Sequence, residues 1–179
     1  FTITAGLDVN GALPGTGGAD ATATVATDVL ALPDLDPKWS GPLTITAGTD
    51  AAYTAILRNA GDGRAVNATV RISIPREADL VRFEQSTFHD CRSSVQEINC
   101  REPVLHPGGE ASVRVIVRPL KLVADGTRLL LSAGADPSGA VRESRENNNS
   151  AFIMPTVRAP ADLGVTGTLS ILDSSLYTC

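Results

Sequence analysis

This 179-residue chain contains three cysteines, Cys91, Cys100 and Cys179, which could form disulfides or bind a metal ion. Their spacing does not suit a metal site, because no Cys-x-x-Cys pair and no nearby pair of histidines accompanies them. Cys91 and Cys100 enclose a polar segment whose ends could meet across a hairpin, which favours a disulfide in an oxidising compartment. Two reduced loop thiols are the alternative. Cys179 is a candidate for pairing with another chain or with polypeptide outside this sequence.

Acid–base chemistry would depend on His89 and His106, the only two histidines. Neither accompanies a serine in a Gly-x-Ser-x-Gly turn, and a nucleophile needs a base within hydrogen-bond reach. We therefore predict no catalytic residues and no cofactor. Trp39, the sole tryptophan, is expected either to fill a core or to contact a neighbouring repeat, with ligand stacking as the third alternative.

Carboxylates offer one further candidate site. Asp34 and Asp36 could bind calcium together with Glu146 or Asp162, since hard cations take carboxylate and carbonyl oxygens. The dense Asp-x-Asp-x-Asp-Gly loop of a dedicated calcium site is missing from the sequence, so solvated surface charge is the alternative interpretation.

Composition places these residues on β-strands. Aromatic residues make up only 4% of the chain, so the core must be built from small aliphatic and β-branched side chains. Alternation of apolar and polar residues at 66–74, and at 111–118 except for Ile116, is typical of half-buried strands. Shorter β-rich runs lie at 43–46, 51–58, 80–83, 129–133 and 151–153, separated by Gly, Pro and Asp turns. The pattern predicts an all-β, antiparallel sandwich.

The alternation also predicts which residues form the core. Residues of one parity in each long strand should face inward because successive side chains point to opposite faces. Those residues are Val66, Ala68, Val70, Ile72, Ala111, Val113, Val115 and Val117.

An internal repeat accounts for a length between one and two sandwich domains. At an offset of 128, residues 1–8 align with 129–136, residues 21–25 with 149–153, and Asp34-Leu35 with Asp162-Leu163, all without a gap. We therefore expect residues 1–33 to be the final strands of one repeat, 34–160 a complete repeat, and 161–179 the opening strands of another.

Several turn residues in the central repeat have a local structural role that explains their identity. Asn59 before Ala60-Gly61 can hydrogen-bond its own backbone, and Gly61 and Gly63 are expected to supply positive φ. Asn147 and Asn148, with the next residue also asparagine, are expected to fix a loop by bonds from side chain to backbone.

Several of these segments carry a family resemblance. Residues 43–61 resemble the opening of bacterial conserved-repeat surface domains, which continue with an alternating strand ending in proline, as at 65–75. The cysteine pair and the turn at 105–111 are similar to the same pattern. Asp136, Glu143, Glu146, Asn147 and Asn148 resemble the ending of the cell-adhesion-related domain found in bacteria, CARDB. The resemblance covers about residues 34–160 and implies an immunoglobulin-like β-sandwich in a tandem array, with no catalytic residues to transfer.

Function is predicted only as a class. A net charge of −5 with interspersed signs gives no basic stripe for nucleic acid, and no apolar run approaches the roughly 20 residues of a membrane helix. We expect a structural and adhesive repeat of a secreted or cell-surface bacterial protein, forming a stalk or filament. Its partners would be neighbouring repeats or subunits, with host-cell or matrix ligands also open. The alternatives are an accessory domain of a secreted hydrolase and a carbohydrate-binding module.

Overall fold

A computed structural model describes residues 2–7, 21–26, 30–85 and 87–160 of the chain. The regular elements in these ranges are all β-strands, and none of the described chain forms a helix long and apolar enough to span a membrane. The strands are β1 (Thr2–Leu7), β2 (Ala21–Ala26), β3 (Leu35–Ser40), β4 (Thr44–Thr46), β5 (Ala51–Asn59), β6 (Ala65–Ser73), β7 (Ala78–Gln85), β8 (Asp90–Ser93), β9 (Glu97–Leu105), β10 (Glu110–Pro119), β11 (Leu131–Ala135), β12 (Ser150–Ile153) and β13 (Thr156–Arg158).

Two antiparallel sheets form an immunoglobulin-like sandwich. One has the order β3-β5-β10-β7, and the other has the order β12-β11-β6-β9-β8. β4 and β13 form a short parallel pair beside them, and β1 and β2 pair with each other as a separate antiparallel hairpin. The predicted all-β sandwich is confirmed.

Small aliphatic side chains from both sheets fill the core, as the low aromatic content requires. The long central strands β5, β6, β9, β10 and β11 contribute most of them, and Tyr53 is the largest buried side chain. Trp39 packs at the edge of this core and meets Tyr53 edge to face, with ring centroids 6.4 Å apart. Trp39 therefore packs against the core while one part of its side chain stays exposed.

The predicted core residues are buried with one exception. Ala68, Val70 and Ile72 in β6 and the four predicted residues of β10 face inward, whereas Val66 is 49% exposed. Asn67 adopts a positive φ of 56° and lies opposite Pro103 between the paired positions Val66–Val104 and Ala68–Glu102. At this point the alternation of inward and outward side chains is interrupted in both strands. Ala65 is therefore buried, whereas Val66 points outward.

Cys91 and Cys100 lie directly opposite each other on β8 and β9 and form a disulfide. Their Cα atoms are 4.1 Å apart, which is the close spacing of a facing cross-strand pair. Cys100 is buried within the core, whereas Cys91 is partly exposed.

Candidate junctions at the two ends of the sandwich

The chain enters the sandwich through Leu32–Asp34, here called the inlet segment. Its three carbonyls accept backbone hydrogen bonds from two loops: Gly63 N to Leu32 O at 3.0 Å, Ser144 N to Pro33 O at 2.8 Å, and Ala60 N to Asp34 O at 2.7 Å. Buried backbone groups must be paired, and here the partners come from loops rather than from a strand ladder. The inlet segment is therefore fixed to the sandwich before β3 begins.

Asn59 is the centre of this arrangement. It is fully buried, and its Oδ1 accepts from Asp34 N and Gly61 N, both at 3.1 Å. Its Nδ2 donates to Gly63 O at 2.7 Å and Leu105 O at 2.9 Å. A primary amide has two donor hydrogens and two acceptor lone pairs, so all of its hydrogen-bonding capacity is used. The bond to Gly61 is the local turn bond expected from the sequence.

Gly61 and Gly63 differ from expectation. The prediction of positive φ was wrong, because neither residue lies in that region of backbone space. Glycine is needed for close approach instead: a Cβ on Gly61 would lie 2.4 Å from Leu32 O, and one on Gly63 would lie 2.3 Å from Ala31 O. The turn presses against the inlet segment with no room for a side chain.

Glu143 brings a carboxylate into the same region. It is 6% exposed, accepts a hydrogen bond from Leu35 N, and accepts a second at 2.8 Å from Asn149 Nδ2. Burial raises the pKa of Glu143, and the two hydrogen bonds oppose that shift by stabilising the charged form. Asn149 Oδ1 is buried without a partner, so this amide has an unused acceptor beside the carboxylate.

Asp34 and Asp136 are the other buried carboxylates in the described chain. Asp34 Oδ1 accepts from Asn148 Nδ2 at 2.7 Å, and its Oδ2 lies 3.9 Å from Arg145 Nε. Asp136, at a positive φ of 37°, accepts from Val141 N at 2.7 Å. The carboxylates thus hold the loop between β11 and β12 in place.

The asparagine run acts differently from the prediction. Asn148 and the asparagine after it donate to the carboxylates of Asp34 and Glu143, not to backbone groups, while Asn147 is exposed. The reason is that the loop folds back over the inlet segment, where buried carboxylates need donors. The sequence pattern did not predict the buried roles of Asp136 and Glu143. The one signal for them was that both residues belong to the segment that resembles the end of a CARDB domain.

Three of the four calcium candidates lie in the described ranges, and each of them has another partner. Asp36 pairs with Lys38 at 3.2 Å, Glu146 accepts from Glu143 N at 2.9 Å, and Asp34 is occupied as described. Within the described ranges there is no group of three or more His, Cys, Asp or Glu side chains arranged to hold a metal ion. Asp162 lies outside these ranges, as does Cys179.

The opposite end of the sandwich fixes the departing chain. We call it the outlet end and define it by Arg158, Gly48, Pro119 and residues 124–127. Gly48 N donates to Pro119 O at 2.8 Å, and Arg158 forms an ion pair of 3.5 Å with Asp125. Ala159 N donates to the same carboxylate at 3.0 Å. Both points where the chain crosses the boundary of the sandwich are therefore held by specific bonds.

His89 and His106 are both exposed and lie in different loops of the sandwich. His106 belongs to the turn before β10, and His89 precedes the disulfide-bonded strand β8. The described residues therefore place no serine, histidine and carboxylate in a catalytic arrangement that any hydrogen bond supports.

Several solved structures are similar to this chain. The CARDB domain of the PF1109 protein from Pyrococcus furiosus, crystallised with di-metal ions, is 21% identical and has a TM-score of 0.54; the match covers 74% of this chain and 100% of that one. The solution structure of that domain gives 20% identity, 73% and 100% coverage and a TM-score of 0.54. A domain of a putative cell surface protein from Methanosarcina acetivorans gives 20% identity, 70% and 92% coverage and a TM-score of 0.47.

No curated protein sequence matches the chain. The sequence profile of one family, CARDB, matches residues 32–152, which begin at the inlet segment and end within β12. That span includes both sheets of the sandwich and the whole polar arrangement around Asn59 and Glu143. The chain belongs to the CARDB family.

Proposed function

We propose that this chain is a non-catalytic structural and adhesive module of an exported, surface-located bacterial protein, in which such sandwiches follow one another head to tail as a stalk or filament. The observation that carries the proposal is the position of the two junctions. The inlet segment bonds to the end of β5, while Arg158 lies beside Thr46 and the loop that follows β10. β5 and β10 are antiparallel, with Ala51 opposite Val117 and Arg58 opposite Glu110, so these points are opposite ends of the sandwich.

A chain that enters at one end and leaves at the other extends along its axis when the unit is repeated. Repeat proteins gain reach in this way because each unit contacts mainly its neighbours. The bonds at both junctions favour defined angles between successive units over free rotation.

The hairpin of β1 and β2 supports the tandem arrangement. The facing residue pairs of this hairpin include Ile3–Val25, Thr4–Thr24 and Ala5–Ala23. Adding the repeat offset of 128 to each number gives Leu131–Ile153, Ser132–Phe152 and Ala133–Ala151. Those three pairs are the observed register of β11 and β12. This agreement favours residues 1–33 as the end of a preceding repeat. The same offset favours residues 161–179 as the opening of a following one.

Export is supported by the disulfide, since such bonds persist in oxidising compartments. The sheet faces give less support to a carbohydrate-binding module. Phe152 is the exposed aromatic side chain among the described residues, whereas sugar-binding faces usually carry several aromatic rings. An accessory domain of a hydrolase, or a host-cell or matrix ligand, would depend on sequence and partners beyond this chain.

Small-angle X-ray scattering tests the head-to-tail arrangement. The samples are the full chain and two versions with residues 34–161 inserted once or twice more in frame. The ten residues of β10 span about 34 Å, so each insertion should lengthen the maximum dimension by roughly that amount or slightly more. A radius of gyration that grows only as for a compact globule would contradict the proposal.

A further inference from the structure

The first and last strands of the sandwich run in the same direction. β3 and β4 follow the inlet segment toward the outlet end, and β12 and β13 run the same way before the chain leaves at Arg158. β4 and β13 consequently form a parallel pair, the one parallel pair among the strands that the structure describes. This pair joins the beginning of the sandwich directly to its end.

We propose that the β4–β13 pair is the element that resists unfolding when the chain is pulled from its two ends. Tension drags β4 back toward the inlet end and β13 outward at the outlet end. Because the strands are parallel, these forces act along them in opposite directions. All of the hydrogen bonds between the two strands are then loaded at once, instead of opening one after another from a free end.

The bonds of this pair suit that role. Thr156 N donates to Leu43 O and Ala47 N to Arg158 O, each at 2.9 Å, on either side of the facing pair Ile45–Val157. Ile45 is 5% exposed and Val157 is fully buried. Sliding the strands would break several hydrogen bonds and pull two aliphatic side chains from the core in one step.

β13 is held along its other edge as well. Val157 N donates to Thr127 O at 2.7 Å, and Gly126 N donates to Val157 O at 2.9 Å. The strand cannot move outward without also leaving the loop that carries Asp125, the ion-pair partner of Arg158. By contrast, the disulfide hairpin of β8 and β9 lies outside this path, since β8 pairs with β9 alone.

This inference rests on the proposed function, because only a module within an extended surface protein is pulled from both ends. Its test is independent of the array. The full chain, placed between two handle domains, is held at constant force in a single-molecule instrument, and the lifetime of the folded sandwich is measured. The variant T156P removes the donor to Leu43 O, and the control S94P removes the bond from Ser94 N to Glu97 O in the β8–β9 turn.

T156P should unfold about fivefold faster at the same force, the change expected when one hydrogen bond is lost from the barrier. S94P should have the same lifetime under force as the unaltered chain, because the Ser94–Glu97 bond is still formed in the transition state for unfolding. Circular dichroism and the melting temperature show whether each variant folds; A47P, which removes the donor to Arg158 O, serves if T156P does not. Equal lifetimes for the β4–β13 variant and the unaltered chain, or an equal acceleration by S94P, would overturn the inference. Either result would leave the scattering test of the array unaffected.

Discussion

Replacing Asn59 with alanine should cost more stability than the same substitution at any other asparagine in the described chain. The side chain is fully buried and makes four hydrogen bonds, and each of its partners is a backbone group. Alanine would leave Asp34 N, Gly61 N, Gly63 O and Leu105 O without a side-chain partner. An unsatisfied buried polar group costs about 1–3 kcal/mol.

We take the lower limit for each group because Gly61 N is only partly buried and can be rehydrated. The four groups together then give a loss of roughly 4 kcal/mol in the free energy of unfolding. A sandwich of this size has a total stability of about 5–15 kcal/mol, so N59A should remove between about a quarter and most of it. N59D separates hydrogen bonding from volume. It keeps the size of the side chain but points carboxylate oxygens at the carbonyls of Gly63 and Leu105, so it should be at least as damaging as N59A at pH 7.

The assay is urea unfolding of the full chain followed by tryptophan fluorescence, because Trp39 lies at the edge of the core. N99A is the matched control: Asn99 is exposed and accepts one bond of 3.4 Å from Arg71. It should change stability by less than about 0.5 kcal/mol. If N59A and N99A had the same unfolding midpoint and slope, the inlet arrangement would contribute nothing to stability and the reasoning would be refuted.

Three other perturbations have defined outcomes. G41A should lower the melting temperature by a cost of about 1–3 kcal/mol, because the new Cβ would lie 2.2 Å from the buried ring of Tyr53; an unchanged melting temperature would contradict this packing. Replacing Cys91 and Cys100 together with serine should cost about 2.5 kcal/mol by the chain-entropy model for a bridge between residues nine apart, measured by the same urea unfolding. For Glu143, a folded-state pKa above its ordinary value of 4.5 means that its contribution to stability is fully present below that value and falls as pH rises through the folded-state pKa. E143Q should flatten this part of the stability profile, because the unused acceptor of the neighbouring amide can turn toward the new donor; identical pH profiles would show that the carboxyl does not titrate differently on folding.

Local periodicity was sufficient to predict most of the sandwich because a strand with one buried face alternates in sequence. It failed where the strand changes its facing, at Asn67 opposite Pro103, since a left-handed residue has no signature in the apolar pattern. It also missed β3, β8, β9 and β13 as strands. Pro37 interrupts the first, and proline is tolerated there because β3 is an edge strand of its sheet.

The inlet arrangement could not have been predicted by the same means. Asp34, Asn59 and Glu143 come from three distant parts of the chain, and each resembles an ordinary loop residue when read with its neighbours alone. What makes them a unit is burial, which requires every donor and acceptor to find a partner. The glycine at position 61 illustrates the difference: its sequence context suggested a backbone conformation, whereas its actual constraint is the inlet segment lying 2.4 Å from where a Cβ would be.

Burial of these polar groups also links stability to mechanics. An apolar contact at the inlet would permit sliding and rotation, because the hydrophobic effect is not directional. Hydrogen bonds to the three carbonyls of Leu32–Asp34 instead fix the direction in which the chain arrives. The bonds of Arg158 and Ala159 to Asp125 are exposed, so they orient the chain less firmly where it leaves. In the proposed tandem arrangement, units with bonded ends would transmit orientation from one neighbour to the next, which a flexible linker between the same sandwiches would not do.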